Sequence, residues 1–410
     1  MTRQRAAAEH GADPAATSPQ PDHPPAIPLP LTYAQTGVDY SSLDPAKIMA
    51  QRAAAGTAGA LTRFDHAEVS ASRGESAFVW DEGEAYRAMV IEGLGTKSLV
   101  ADATRVFSGR SHYDALAQDT VAMIVNDLIV VGAAPQVVTA YWAVGDGAWF
   151  DDRERARDLV DGWAAACAMS GATWGGGETP ALSGIIDPRT IDLAGAAIGI
   201  IAPKERLVLG DRLAVGDRIV LVSSSGIHAN GLSLARRLAE RLPDGYATRL
   251  EDVDRRDATD TADAEIARPT YGEALLAPTP IYAALVADLF TAGVDVRYLV
   301  NVTGHGWRKL MRAPREGLCY RFDVVPPVPA VLRFIQRHAG LDDREAYATL
   351  NMGAGFAVYT TAAHAATVIA VAERNGLAAW DAGAVQAGPR GVAIEPLGIV
   401  YEGDTLGVRA

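Results

Sequence analysis

LIVVGAAPQVVTAYWAVG, running from Leu128 to Gly145, carries no formal charge and is about long enough to span a bilayer. Its details argue against that. Pro135 and Gln136 fall mid-run, and Asn126-Asp127 stand directly before it. The stretch reads better as two buried elements joined by a Gly-Ala-Ala-Pro turn. One is an apolar helix from Tyr113 to about Val131, the other a strand from about Val137 to Ala143. A buried helix feeding a buried strand points to an α/β protein.

Outward from this pair the same alternation continues. AYRAMVIEG (85–93) reads as a strand, Asp152 to Ser170 as a helix with an acidic start, and ATWGG and IDLAGAAIGII (191–201) as strands. The charged, glycine-punctuated PKERLVLGDRLAVGD then separates a first block from a second near 203–216. In the second block DRIVLVSSS (217–225) is a strand leading through a glycine-bearing loop into the helix LSLARRLAERL (232–242). The segment 246–272, rich in Asp, Arg and Thr, reads as loop. TPIYAALVADLFTAG (279–293) is a helix, followed by the strand VRYLVNVT, the loop GHGW, the strand MGAGFAVYT and the helix AAHAATVIAVAERNG. The expected organisation is a disordered, proline-rich tail over 1–30, an N-terminal domain over 31–203 and a C-terminal domain over 214–410.

Composition narrows the function. Among 410 residues there are 37 Lys and Arg against 50 Asp and Glu, a net charge of −13, so no nucleic-acid partner is expected. The two cysteines, Cys167 and Cys319, stand far apart with no CxxC, which excludes a cysteine zinc site and suits a reducing cytoplasm. No apolar run follows the charges of the first thirty residues, so neither a signal peptide nor a membrane partner is expected.

Five places could carry chemistry. Glu92-Gly93-Leu94-Gly95-Thr96-Lys97 follows a strand; it is either a turn or a phosphate loop, and it is not a Walker A sequence. Asp127, beside Asn126 in an apolar helix, either caps a neighbouring backbone group or binds a metal, because an ionised carboxylate is costly to bury alone. Gly175-Gly176-Gly177-Glu178-Thr179 reads as a loop that could complete a three-carboxylate set with Asp127 and Glu92, suited to Mg²⁺ with nucleotide phosphates. Ser223 to Gly231 is either a capped turn or a polar-ligand site at a helix start. Thr303-Gly304-His305-Gly306-Trp307 is a second glycine loop. HExxH, GxSxG and GxGxxG are absent.

In this order the motifs resemble the AIR synthase (phosphoribosylformylglycinamidine cyclo-ligase) family. The residues carrying the resemblance are TYAQTGVD (32–39), EGLGTK (92–97), DTVAMIVNDLIVVGAAP (119–135), GGGET (175–179), IDLAGAAIG (191–199), SSSGIHANGLSL (223–234), LLAPTPIY (275–282), VTGHGW (302–307) and TLNMGAGF (349–356). The wider superfamily also holds selenophosphate synthetase, thiamine-monophosphate kinase and a hydrogenase-maturation ATPase. The resemblance implies two α/β domains, the N-terminal one binding ATP and closing a barrel across a homodimer. It implies an ATP- and Mg²⁺-dependent ligase acting on a small phosphorylated substrate of purine biosynthesis. It assigns Asp127, Glu92 and Asp119 to the metal, with Glu178 in support. Gly93, Gly95, Thr96, Lys97, Asn126, Gly176, Gly177 and Thr179 go to the nucleotide, and Ser224, Ser225, Gly226, His228, Asn230 and His305 to the substrate. Asp127, Lys97 and His228 are the catalytic candidates.

The chain also departs from the family pattern. Glu92 stands where the family has Asp, Ala34 for its lysine, Gln35 for the following Asp, and Ala140 for the Asp of its LDYY strand. His305 and Trp307 replace a glycine and a phenylalanine and are expected to reshape the site. Two alternatives follow: a paralogue that phosphorylates a different amide or carboxylate, and a catalytically idle homologue.

Overall fold

The computed structural model describes residues 40–250 and 268–406. The expected tail, the TYAQTGVD segment with Ala34 and Gln35, and residues 251–267 of the Asp- and Arg-rich segment lie outside the described residues.

The first half contains α1 (Tyr40–Ala55), β1 (Ala67–Glu68), β2 (Phe78–Asp81), β3 (Tyr86–Gly93), α2 (Lys97–Ser108), α3 (Tyr113–Ile129), β4 (Ala134–Val144), α4 (Arg153–Met169), β5 (Thr173–Glu178) and β6 (Ile191–Ile201). Its strands form one six-stranded sheet in the order β1-β2-β3-β6-β4-β5. Neighbours run antiparallel except β4 and β5. The expected helix and strand around Leu128–Gly145 are both present, although the helix ends at Ile129 and the strand already starts at Ala134. No helix among the described residues is long and apolar enough to cross a membrane.

Helix α3 covers one face of this sheet, and β6 shows why the sequence allows it. A Cβ on Gly195 would lie 2.2 Å from Thr139 O and 2.9 Å from Ile124 Cδ1; one on Gly199 would lie 3.0 Å from Leu128 Cδ2. The glycines of IDLAGAAIG therefore let the helix lie close against the strand. Strand β4 is apolar for the same reason: Val138 and Trp142 are buried, and Trp142 meets Trp163 of α4 edge-on at 5.5 Å. The described helices leave the opposite face largely uncovered. There Met89, Ile91, Tyr141 and Ile198 are exposed.

GGGET corrects the sequence reading. Gly175 to Glu178 are not a loop but part of edge strand β5, with a bulge opposite β4. Cross-strand partners share a face. Glu92 pairs with Gly195, Gly195 with Ala140 and Ala140 with Gly177. Glu178 belongs to the next row, with Gly93, Ala194 and Tyr141, so it faces the uncovered side, away from Glu92. A Cβ on Gly177 would sit 2.1 Å from Ala140 O, which explains a glycine there without any ligand.

The second half contains β7 (Arg218–Ser223), α5 (Leu232–Ala239), α6 (Tyr271–Leu275), α7 (Ala283–Thr291), β8 (Val296–Asn301), β9 (Leu318–Phe322), α8 (Ala330–Ala339), α9 (Asp343–Thr349), β10 (Ala354–Thr360), α10 (Ala365–Arg374), β11 (Ala379–Ala387), β12 (Gly391–Ile394) and β13 (Ile399–Glu402). These strands form a seven-stranded sheet, β13-β12-β9-β11-β7-β10-β8, in which only β12 and β9 run parallel. Each sheet is open within one chain.

The two halves meet where α3 lies against residues 277–282. Asn126 Nδ2 donates to Pro280 O at 2.9 Å, and Asn126 Oδ1 accepts from Tyr282 N at 2.9 Å. Gln118 Nε2 donates to Thr279 O at 2.9 Å, and Asp119 Oδ1 accepts from Thr279 N at 2.8 Å.

Candidate active site

Strand β3 ends at the same level as the last turns of α3, and that juxtaposition builds the site. It brings Glu92 beside Asp127, close enough for the two carboxyls to act on each other. Burial, and then the neighbouring Asp127 carboxylate, push Glu92 up to about 7. Asp127 is almost wholly buried, and its Oδ1 accepts from Asn301 Nδ2 at 2.7 Å. The second half supplies the opposing charge. Gly306–Met311, the continuation of GHGW, is a 3-10 helix, where residues three apart stack on one face. Lys309 and Arg312, in that spacing at its end, both line the cavity.

The cavity holds about 510 Å³ and is lined by Glu92, Asp127, Asn230, His305, Lys309 and Arg312, and also by Lys47, Arg73 and Glu75. Lys309 Nζ lies 4.0 Å from Asp127 Oδ1 and donates to Thr303 Oγ1 at 2.5 Å. Burial pushes Lys309 below the ordinary lysine range, against the pull of Asp127. The Arg312 guanidinium donates to Gly74 O at 2.8 and 3.1 Å and to Ser76 Oγ at 2.9 Å, and lies 3.6 Å from Glu75. Arg73 makes a two-pronged pair with Glu68 at 2.6 and 2.7 Å.

Of the expected site residues, Glu92, Asp127, Asn230 and His305 therefore share one cavity. His305 has φ +71°, a backbone region in which a glycine sits without strain. Burial, then Arg308, Lys309 and Lys47, push its imidazole down to about 3, so it is neutral near pH 7. Trp307, expected to reshape the site, does not reach it. The ring is fully buried between Phe322 and Tyr347, and its Nε1 donates to Asn351 O at 2.9 Å.

The other candidates are placed elsewhere. Lys97, the first residue of α2, is completely buried and pairs with Asp119 at 2.6 Å. Its ammonium also donates to His228 O at 3.0 Å and Ala277 O at 3.2 Å, which accounts for all three donors. Asp119 accepts besides from Thr279 N and Oγ1, so it sits in the seam between the halves and not beside Glu92 and Asp127. His228 is buried, its Nε2 accepts from Ser225 N at 3.3 Å, and burial pushes it down to about 3, so it holds the loop as a neutral ring. Ser224 Oγ donates to Asn351 Oδ1 at 2.9 Å, Ser225 Oγ to Pro278 O at 2.8 Å, and Gly226 O accepts from Asn351 Nδ2 at 2.7 Å. Gly93, Gly95 and Thr96 link Glu92 in the cavity to Lys97 in the seam.

No group of three or more His, Cys, Asp or Glu able to hold a metal occurs among the described residues. The expected three-carboxylate set is thus reduced to Glu92 and Asp127. Two carboxylates completed by nucleotide phosphates remain a donor set that fits Mg²⁺. Sequence reasoning missed Lys47, Arg73, Glu75, Lys309 and Arg312. Only the three-residue spacing of Lys309 and Arg312 after a glycine loop carried a usable signal.

The fold is shared with solved structures. A crystal structure of a HypE–HypF complex superposes with a TM-score of 0.53, at 16% identity, covering 80% of this chain and 92% of that one. Thiamine-monophosphate kinase from Stenotrophomonas maltophilia superposes at 0.51, with 18% identity, covering 78% and 88%. These likenesses define a class of two-domain α/β proteins, one open sheet per domain. Within it, the family described as AIR synthase related protein matches with its N-terminal domain over residues 74–201 and its C-terminal domain over 214–395. The phosphoribosylformylglycinamidine cyclo-ligase of Methanothermobacter thermautotrophicus is 33% identical over 326 residues, 80% of this chain and 86% of that protein. That of Sorangium cellulosum is 34% identical over 361 residues, 87% and 95%. The chain belongs to the AIR synthase family.

Proposed function

We propose that the chain is an ATP-dependent cyclo-ligase that closes the imidazole ring of formylglycinamidine ribotide, giving aminoimidazole ribotide, ADP and phosphate, in the cytoplasm. The observation that carries this is the cavity itself. Carboxylates from the first half, Glu92 and Asp127, face cations from the second half, Lys309 and Arg312, in a chain related along most of its length to proteins of that name. The γ-phosphoryl group passes to the formamide oxygen, turning it into a leaving group. The amidine nitrogen attacks the formyl carbon, the C–O bond breaks and phosphate departs; the substrate gives up one N–H proton and, as the ring becomes aromatic, one proton of its methylene carbon, one leaving on the phosphate and the other to solvent.

The protein's part is positioning and charge. Glu92 and Asp127 are the residues that would hold Mg²⁺, which when bound neutralises nucleotide phosphate charge. Asn301 fixes the Asp127 carboxylate. Gly93, Gly95 and Thr96 offer backbone amides to phosphates, and Lys309 and Arg312 attract an anionic substrate. Asn230 and the neutral His305 border the substrate's space. Lys97, Asp119, Asn126 and His228 hold that wall in place from the seam.

Mixing purified protein with formylglycinamidine ribotide and Mg-ATP is expected to release ADP and aminoimidazole ribotide together. His305 supports a second reading, since it lines the cavity where the family pattern has glycine. On that reading the O-phosphorylation serves another amide or carboxylate. Nucleotide binding without turnover of formylglycinamidine ribotide would favour it, and no nucleotide binding at all would leave the idle homologue.

The chain is further proposed to form a homodimer through the uncovered sheet face, closing a barrel with its partner's sheet. Met89 and Ile198 are cross-strand neighbours there, with Ile91 and Tyr141 nearby, an apolar surface a monomer seldom leaves in water. Of Gly176, Gly177, Glu178 and Thr179, Glu178 lies on that face, and on this reading it meets a ligand through the partner subunit. Light scattering is expected to give about twice the 43.1 kDa chain mass; a monomer at micromolar concentration contradicts the dimer.

A further inference from the structure

We propose that Lys309 is an internal rival for the cation bound by Glu92 and Asp127: its ammonium balances the carboxylate pair until a divalent ion arrives, and then turns to the phosphate of the bound ligand. The proposal rests on reading that pair as the cation site.

Three features set Lys309 apart. Its Nζ is buried in the cavity wall, 4.0 Å from Asp127 Oδ1, so a cation entering between the carboxylates meets a like charge almost in contact. It is tethered by a hydrogen bond to Thr303 Oγ1, and a lysine's three donors and four-carbon stem leave it room to reorient about that point. Arg312 cannot take the part, because its guanidinium is fixed by Gly74 O and Ser76 Oγ beside Glu75. The carboxylates belong to β3 and α3, whereas Lys309 belongs to the second half. Loading the cation therefore frees one positive charge for the anionic ligand that would bind beside it. The other charged groups lining the cavity are Arg312, held beside Glu75, and Lys47 and Arg73.

The test pairs two probes with opposite expected signs: Mn²⁺ alone, followed by electron paramagnetic resonance, and a non-hydrolysable Mg-ATP analogue, followed by calorimetry. Lys309→Met is expected to tighten Mn²⁺ binding on the order of tenfold or more, through loss of a nearby like charge, and to weaken the nucleotide analogue. Lys309→Gln should do the same, and Lys309→Arg should keep wild-type Mn²⁺ affinity. A purely structural lysine would weaken both probes in Met and Gln. Unchanged or weaker Mn²⁺ binding in either folded neutral variant overturns the proposal, as does the absence of any Mn²⁺ binding in wild type and both variants. In that last case Asp127→Asn decides the underlying reading. Loss of metal-dependent analogue binding keeps Glu92 and Asp127 as the cation pair, and retention removes them.

Discussion

Lys97→Met is expected to lower the unfolding free energy by about 3–5 kcal/mol, the usual cost of removing one partner from a buried ion pair. The lysine and Asp119 are both fully shielded from water, 2.6 Å apart. Without the ammonium, Asp119 must stay charged with only Thr279 to answer it or take up a proton, the direction in which burial already pushes it, and the carbonyls of His228 and Ala277 lose a donor. The loss falls on the contact between the two sheets. Urea unfolding should therefore show the first and second halves parting more readily. Adding Asp119→Asn to Lys97→Met should recover part of the stability, because the orphan charge goes with it. A single variant within about 1 kcal/mol of wild type, no more than the median surface pair, would mean that the pair is hydrated in solution. Nucleotide affinity of the folded variant measures separately whether this lysine ever touches a phosphate.

Asp127→Asn is the second large effect: kcat/KM for the ligase reaction should fall by about 10²–10³-fold, the range seen when one preorganised electrostatic contact is removed. Shape is retained, and Asn301 Nδ2 can still donate to the new amide oxygen, now without the charge. A companion signature lies in the pH dependence of stability. Glu92 holds its proton to about pH 7 in the folded chain, against an ordinary carboxyl value of 4.5. The stabilising contribution of that proton is complete below pH 4.5 and is lost as pH rises through 7. With residue 127 neutral, the repulsion from its charge is gone, and burial, the largest cause of the upward shift, remains. The decline between pH 4.5 and 7 should therefore be shallower, not abolished. Wild-type turnover in the variant, or an unaltered pH profile, removes Asp127 from the proposed chemistry.

What the sequence disclosed followed from periodicity and punctuation. Helix α3, β3, β6 and the glycine-bearing turn after β7 were readable because their apolar runs end at glycines or polar caps. The late strands β11, β12 and β13 were not singled out, since short segments such as GVAI and IVYE lack enough alternation to stand out. The site was half legible. Glu92 and Asp127 advertise themselves as carboxylates at the ends of apolar elements. Lys97 and Asp119 looked like ligand contacts because a charge in an apolar helix signals that it needs a partner, without saying that the partner is the other one. Three glycines before Glu178 suggest a loop, whereas Gly175 and Gly177 make room for β4 and Gly176 has a positive φ. Lys309 and Arg312 offer only their three-residue spacing as a signal, and that spacing does not by itself separate a 3-10 turn from a loop.

The seam has one more consequence. Asn126 and Gln118 reach from α3 to the main-chain groups of residues 279–282, and Lys97 reaches to the main-chain oxygens of His228 and Ala277. A backbone carbonyl is the same atom whatever residue bears it, so apart from Thr279, whose hydroxyl also bonds Asp119, the second half can change side chains along this line and still be gripped. The first half has no such freedom, because its grip is made of particular amides, a carboxylate and one amine. Mutational tolerance along a single line of contact is therefore lopsided: wide on the side that is held, narrow on the side that holds.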